Sequence, residues 1–99
     1  MKFFVDPKDI VLEFWIRKAY DPAPYQEVRS FFFTEEEEAT NVDAVNLFNH
    51  LLGLAERDGY LSYSSHEYTN PDGSPMKMYT LTPHGRELGK RLKERKDYI

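Results

Sequence analysis

The chain contains no cysteine, which excludes a disulfide framework, a thiol nucleophile and a cysteine zinc site. It also lacks long apolar runs, since no stretch approaches the roughly 18 apolar residues of a membrane span. Its first residues, MKFFVDPKD, carry a short apolar run that Asp6 and Pro7 interrupt too early for a signal peptide. We therefore expect a cytoplasmic protein without membrane contact.

Positive charge is scarce in the first part of the chain. The formal net charge is -4 and the isoelectric point is near 5.3. Residues 1–60 hold six Lys or Arg against twelve Asp or Glu, whereas residues 61–99 hold seven against five. Unspecific affinity for nucleic acid comes from Lys and Arg against phosphate, so charge alone would bring only the basic tail to DNA.

Signatures of catalysis are absent as well. The three histidines, His50, His66 and His84, are not at metal-ligand spacing, and no phosphate loop, nucleophile elbow or pair of catalytic carboxylates occurs. With 99 residues, of which 40% are hydrophobic, the chain has material for one core. We expect a single domain over residues 1–99 that is not an enzyme and uses neither metal nor cofactor.

Two helices are predicted in the first third. Asp6 and Pro7 form a helix start, with the carboxylate as N-cap and proline at the first helical position. Apolar residues then cover most of the helix circumference up to Tyr20, which predicts a largely buried helix that ends at the prolines of DPAP. The segment PYQEVRSFFF fits a helix or a strand, and we favour the helix.

The stretch TEEEEATN contains two candidate capping boxes, Thr34 with Glu37 and, less ideally, Thr40 with Asp43. Either one long helix begins at Thr34, or a turn intervenes and a helix restarts near Asn41. The helix over residues 42–58 has an apolar stripe and ends at a glycine. The stripe comprises Val45, Phe48, Leu52 and Ala55, widened by Leu47, Leu51 and Leu54. The opposite face comprises Asp43, Asn46, Asn49, His50, Gly53 and Arg57.

A β-hairpin and a last helix are predicted next. YLSYSSHEY alternates with period two, TNPDGSP is rich in turn residues, and KMYTL returns as a second strand. Thr82 can cap a helix that runs to about Lys96, and Pro83 fits its first position. A glycine inside that helix costs about 1 kcal/mol relative to alanine, so we expect Gly85 to permit a close backbone approach.

The combination of LLGLAERDGYL, a hairpin and YTLTPHGREL resembles winged-helix regulators of the PadR and MarR kind. In them a recognition helix ends in a Leu-rich stretch with glycine, a wing follows, and its last strand runs into Tyr-x-Leu-Thr-x-x-Gly-Arg. The matching residues are Leu51, Leu54, Gly59, Tyr60 and Leu61, then Tyr79, Leu81, Thr82, Gly85 and Arg86. The resemblance spans about residues 42–90. It implies a mainly α (α+β) winged helix-turn-helix with a three-helix core, a two-stranded wing and a C-terminal helix.

The resemblance also implies a DNA-binding transcriptional regulator. Helix 42–58 would be the recognition helix, with Asn46, Asn49 and His50 nearest the bases, and the hairpin 60–81 the wing, with Lys77 near a phosphate. The polar face of the helix could equally be ordinary solvated surface.

The chain departs from the family pattern in charge. TEEEEATN is longer and more acidic than the usual connection, and the recognition helix has no Lys or Arg before Arg57. A second hypothesis is therefore an acidic interaction module that binds a basic protein instead of DNA. We also expect a homodimer, in which the basic last helix of one chain meets the acidic part of another and Leu88 and Leu92 form a small seam.

Overall fold

The computed structural model describes residues 2–64, 69–74 and 77–97, and within them five helices and three short strands form a mixed α+β fold. The elements are α1 (Pro7–Lys18), β1 (Ala23–Pro24), α2 (Tyr25–Ser30), α3 (Glu35–Thr40), α4 (Val42–Arg57), β2 (Leu61–Ser64), β3 (Met78–Leu81) and α5 (Pro83–Asp97). Residues 65–68 and 75–76 of the predicted hairpin, including His66, lie outside the described residues. None of the described helices is long and apolar enough to cross a membrane.

Helix α1 begins as predicted but is buried on only part of its surface. Asp6 and Asp9 form a reciprocal capping box, and Pro7 occupies the first position. The apolar Ile16 remains 45% exposed, whereas the charged Glu13 is only 4% exposed. Glu13 can be buried because it forms ion pairs with two cations, Lys2 at 3.2 Å and Arg17 at 3.0 Å. A hydrophobicity pattern cannot anticipate such a paired carboxylate in the core.

Helix α2 ends at Ser30, and the three phenylalanines after it form neither a helix nor a strand. They turn into the core and all become buried. Phe4 packs edge-on against Phe32 and Phe33, with ring centroids 5.4 and 5.6 Å apart, and Phe48 of α4 completes the cluster. This arrangement of aromatic rings holds the N-terminal segment, the α2–α3 connection and α4 together.

Helices α3 and α4 are separate, so of the two predicted alternatives the restart near Asn41 is the one found. The capping box of Thr34 and Glu37 is confirmed. The predicted box of Thr40 and Asp43 is wrong, because the Thr40 hydroxyl donates back to the carbonyl of Glu36 at 2.9 Å. Asn41 caps α4 instead. Its side-chain oxygen accepts from the backbone N–H of Ala44, the third residue of that helix.

The sheet has three antiparallel strands in the order β1-β3-β2. The expectation of only two strands is therefore wrong. In the predicted hairpin, Leu61 lies opposite Leu81 and Tyr63 opposite Tyr79, which confirms the two faces read from the alternation. The missed strand β1 pairs its two residues with the start of β3. Two residues that include a proline carry no periodicity, so only tertiary contact makes them a strand.

The corner between β3 and α5 is confirmed in detail. The Thr82 hydroxyl accepts from the backbone N–H of Gly85 at 2.9 Å, while the Thr82 backbone N–H donates to the carbonyl of Tyr60 at 3.1 Å. A Cβ atom on Gly85 would overlap that same carbonyl oxygen. Farther along α5, a Cβ on Gly89 would lie 2.5 Å from the Cβ of Trp15 in α1. Two glycines therefore let α5 lie directly on its neighbours.

Candidate interaction surface

The polar side of α4 is exposed as predicted, and it is less polar than predicted. Asn46, His50 and Arg57 are all solvent-exposed. Leu47, which the apolar stripe assigned to the core, is 43% exposed, and Val42 at the start of the helix is 59% exposed. Helix α4 therefore presents apolar and amide groups side by side, with its first cation near its last turn.

The predicted site residues differ in how free they are. Asn46 and His50 have no hydrogen-bond partner among the residues that the structure describes. Asn49 is engaged, because the hydroxyl of Tyr25 in α2 donates to its side-chain oxygen. Bidentate reading of adenine needs both the oxygen and the nitrogen of an asparagine amide, so Asn49 would first have to release Tyr25. Sequence spacing could not reveal this partner, which lies 24 positions away.

Lys77, the fourth predicted site residue, is exposed beside β3. Its ammonium lies 5.9 Å from the ring centroid of Tyr63, at the far limit of a cation–π contact. It belongs to the hairpin and not to the α4 face. The structure therefore groups Asn46, Asn49 and His50 on one helix and leaves Lys77 on a different element.

Helix α3 is fastened to α2 by one ion pair. Arg29 of α2 donates to a carboxylate oxygen of Glu38 at 2.9 Å, and both side chains are largely shielded from solvent. The hydrogen bond from Arg29 lowers the pKa of Glu38, and the same bond raises the pKa of Arg29. Gln26 adds a further contact to Glu38 at 3.2 Å. Two of the four consecutive glutamates are therefore structural, Glu37 in the capping box of α3 and Glu38 in the ion pair with Arg29.

A cleft of about 620 Å³ lies between α2 and α3, and we call it the acidic cleft. Its lining residues are Gln26, Glu27, Ser30, Phe33, Thr34, Glu35 and Glu38. Lys18 partly neutralises Glu27 at 3.2 Å, and Arg29 neutralises Glu38. Glu35 is exposed and forms no ion pair among the described residues. The cleft thus offers one free carboxylate, polar groups and the buried ring of Phe33, and its described lining includes no cation.

The charge of the whole α3–α4–hairpin region is strongly negative. Residues 34–81 contain nine Asp or Glu and only two Lys or Arg. Of those two cations, Arg57 lies 3.7 Å from Asp58, and Lys77 is directed toward a tyrosine ring. The positive charge of the molecule is instead concentrated on α5, which packs mainly against α1.

Helix α5 uses one of its two predicted seam leucines for its own fold. Leu88 is half-buried and packs against the hydrophobic core, together with Tyr60 and Trp15. Leu92 is also half-buried and lines a cleft between α1 and α5. The seam predicted for a second subunit is therefore narrower than the sequence indicates.

Comparison with known proteins identifies no relative. No protein-family model, curated protein or solved structure matches the chain. Function is accordingly inferred from the residues and their arrangement.

Proposed function

We propose that this chain is a winged-helix module that binds a basic segment of a partner protein through its acidic side. The order of elements supports the winged-helix assignment. Helices α1, α2 and α4 surround one core, the β2–β3 hairpin follows α4 directly, and β1 extends the sheet from the α1–α2 connection. Such a scaffold carries many unrelated functions, so its surface has to decide what it binds.

The observation that carries this proposal is the sign of the charge where a winged helix would approach DNA. Nine acidic residues against two basic ones over residues 34–81 would repel a duplex, which carries one negative charge per about 1.7 Å of its axis. The same distribution attracts Lys and Arg side chains. Charge of this kind steers partners and selects among them more than it adds affinity.

The acidic cleft is where we place the basic segment. Glu35 has no cation of its own among the described residues, and Glu36 lies beside it, exposed, on the first turn of α3. Phe33 supplies an apolar base for the stem of a long side chain. An arginine entering from solvent would find a free carboxylate at the rim and hydrocarbon below it.

The experiment is a calorimetric titration with a short Arg-rich peptide at two salt concentrations. Replacing Glu35 and Glu36 by glutamine should remove about 1 kcal/mol of affinity, roughly a fivefold increase in Kd, because both carboxylates are exposed. The matched control replaces Glu87 and Glu94, two exposed glutamates of α5, by glutamine. It makes the same change in net charge and should leave peptide binding nearly unchanged. Equal weakening by both double variants would reject the acidic cleft.

A second candidate function is DNA-binding transcriptional regulation, which one observation favours. Asn46 and His50 are exposed on a helix of 16 residues, about 24 Å long, that a major groove can accommodate. The test is a titration with the DNA upstream of the protein's own gene at two salt concentrations. A regulator should bind with an affinity that falls steeply with salt, and N46A should weaken that binding without altering the circular-dichroism spectrum. No binding at low salt would reject this candidate.

A further inference from the structure

A second cleft differs from the acidic cleft in the sign of its charge, because cations line it. It lies between the start of α1 and the middle of α5 and has a volume of about 260 Å³. Its lining residues are Lys8, Tyr60, Leu88, Arg91, Leu92 and Arg95. We call it the basic cleft. No carboxylate belongs to its described lining, so three positive charges from two helices converge on one small space.

The three cations of the basic cleft are uncompensated, unlike most cations of the first half of the chain. Lys8, Arg91 and Arg95 are exposed and form no ion pair among the described residues. The carboxylates of Asp6 and Asp9 accept backbone N–H bonds at the start of α1 and, among the described residues, form no ion pair with these cations. Four cations elsewhere do pair with glutamates: Lys2, Arg17, Lys18 and Arg29. Like charges held near one another destabilise a fold, so an anion in the basic cleft would offset that repulsion.

The types of cation indicate which anion fits. Arg91 and Arg95 are one helical turn apart, so both side chains leave the same face of α5. Two guanidinium forks match the oxygens of a phosphate, and an ammonium such as that of Lys8 adds a point charge. A carboxylate would satisfy only one fork. The arrangement therefore favours a phosphate group over a single carboxylate.

The size and floor of the basic cleft indicate that the phosphate is part of a larger molecule. The volume of the basic cleft, about 260 Å³, is larger than a single phosphate ion fills. Leu88 and Leu92 give an apolar floor. The ring of Tyr60 is held in place by stacking on His84, with centroids 4.8 Å apart. An aromatic or short aliphatic body would lie against these groups.

We propose that the basic cleft between α1 and α5 binds a small phosphate monoester, with Arg91, Arg95 and Lys8 on the phosphate and Leu88, Leu92 and Tyr60 against its organic part. This site is separate from the acidic cleft. It does not depend on which partner the acidic side binds.

The experiment is a titration of the full chain with inorganic phosphate and with phenyl phosphate, each at the same ionic strength set with sodium chloride. Heat of binding gives the affinity, and the melting temperature gives an independent measure, since a ligand that binds only the folded state stabilises it. Phenyl phosphate should bind saturably and at least tenfold tighter than inorganic phosphate. Equal, weak affinity for the two would show that the cleft selects no organic body and would overturn the monoester assignment.

Two double variants of α5 make the test specific. R91Q/R95Q should lose at least tenfold in affinity for phenyl phosphate and should lose its stabilisation by that ligand. K90Q/K96Q changes the net charge by the same amount, and these two exposed lysines do not line the cleft, so it should bind like the wild type. Equal losses in the two variants would show a diffuse counterion effect and would overturn the proposal.

Further measurements exclude failure to fold and occupation by a second copy. K8Q, at the start of α1, should also weaken binding, and it tests the cleft from the other helix if R91Q/R95Q does not fold. Sedimentation at low salt should give the same molecular mass for wild type and R91Q/R95Q. A dimer of the wild type that R91Q/R95Q abolishes would mean that glutamates of another chain fill the cleft, and the phosphate assignment would fail.

Discussion

Replacing Gly85 by alanine is the most severe test of how α5 joins the rest of the fold. The added methyl group would overlap the carbonyl oxygen of Tyr60 and lie 2.9 Å from its carbonyl carbon. These are backbone atoms of the residue that precedes β2, so no rotamer change can relieve the overlap. The helix must move away, and the movement stretches the bond between the Thr82 N–H and the Tyr60 carbonyl.

The magnitude follows from three contributions. Overpacking at a site that cannot relax costs about 3 kcal/mol. Weakening the two corner hydrogen bonds, from Thr82 N–H to Tyr60 and from Gly85 N–H to Thr82, costs about 1 kcal/mol more. The better helix propensity of alanine returns about 1 kcal/mol. The free energy of unfolding should therefore fall by about 3 kcal/mol, which lowers Tm by about 12 °C or more in a domain of this size.

Gly53 provides the matched control. It also lies inside a helix, but nothing within 4 Å would meet its added Cβ. Gly53→Ala should therefore raise the free energy of unfolding by about 0.5–1 kcal/mol through propensity alone. Urea denaturation followed by circular dichroism measures both variants. If Gly85→Ala unfolds within 0.5 kcal/mol of the wild type, about the error of such a comparison, the close approach of α5 is wrong.

Three further outcomes are expected. Thr82→Ala should lower the free energy of unfolding by about 1–2 kcal/mol, because the hydroxyl that caps α5 is lost. Thr82→Ser keeps a hydroxyl and should retain most of that stability. Equal losses for the two variants in urea denaturation would contradict the cap. The hydrogen bond from Arg29 holds the pKa of Glu38 below its usual value. The ionised Glu38 therefore stabilises the fold above about pH 4.5, and this stabilisation is lost as the pH falls through the lower pKa of the folded state. Glu38→Gln should make the free energy of unfolding decrease less steeply between neutral and acid pH, as measured by denaturation at several pH values. Burial, with a smaller effect from the charge of Glu56, raises the pKa of Tyr79 to about 12. The free energy of unfolding should therefore decline as the pH rises from about 10 towards 12, because the unfolded chain loses the phenol proton first. Tyr79→Phe should show a shallower decline, and the same decline in the variant and the wild type would exclude Tyr79 as its source.

Local features of this chain were predictable because their causes are local. The caps at Asp6 and Thr34 depend on residues within three positions of each other, and the structure contains both capping boxes. The glycine after α4 adopts a positive φ of 82°, as a helix-ending glycine does. The Thr-Pro-x-Gly corner was also predictable, because a glycine inside a helix costs about 1 kcal/mol relative to alanine and a close backbone approach gives a reason to keep it.

Features that depend on distant residues were not predictable. The burial of Glu13 requires Lys2 and Arg17, and the engagement of Asn49 requires Tyr25 from another helix. Periodicity likewise assigned Leu47 to the core, although no other described element covers this side chain and it remains exposed. Sequence patterns report which residues share a face of an element but not how wide the contact with its neighbours is.

The sequence by itself determined where most helices begin and end, and that acidic residues outnumber basic ones in residues 1–60 whereas basic residues outnumber acidic ones in residues 61–99. Only the tertiary structure decided what those charges face. In the folded chain Arg29 pairs with Glu38, and the two residues before α2 form a strand with β3. Lys8 of the first helix lines the same cleft as two arginines of the last helix. The physical reason is that capping and helix propensity act within a turn or two. Clefts and ion pairs between elements exist only once packing has brought distant segments together.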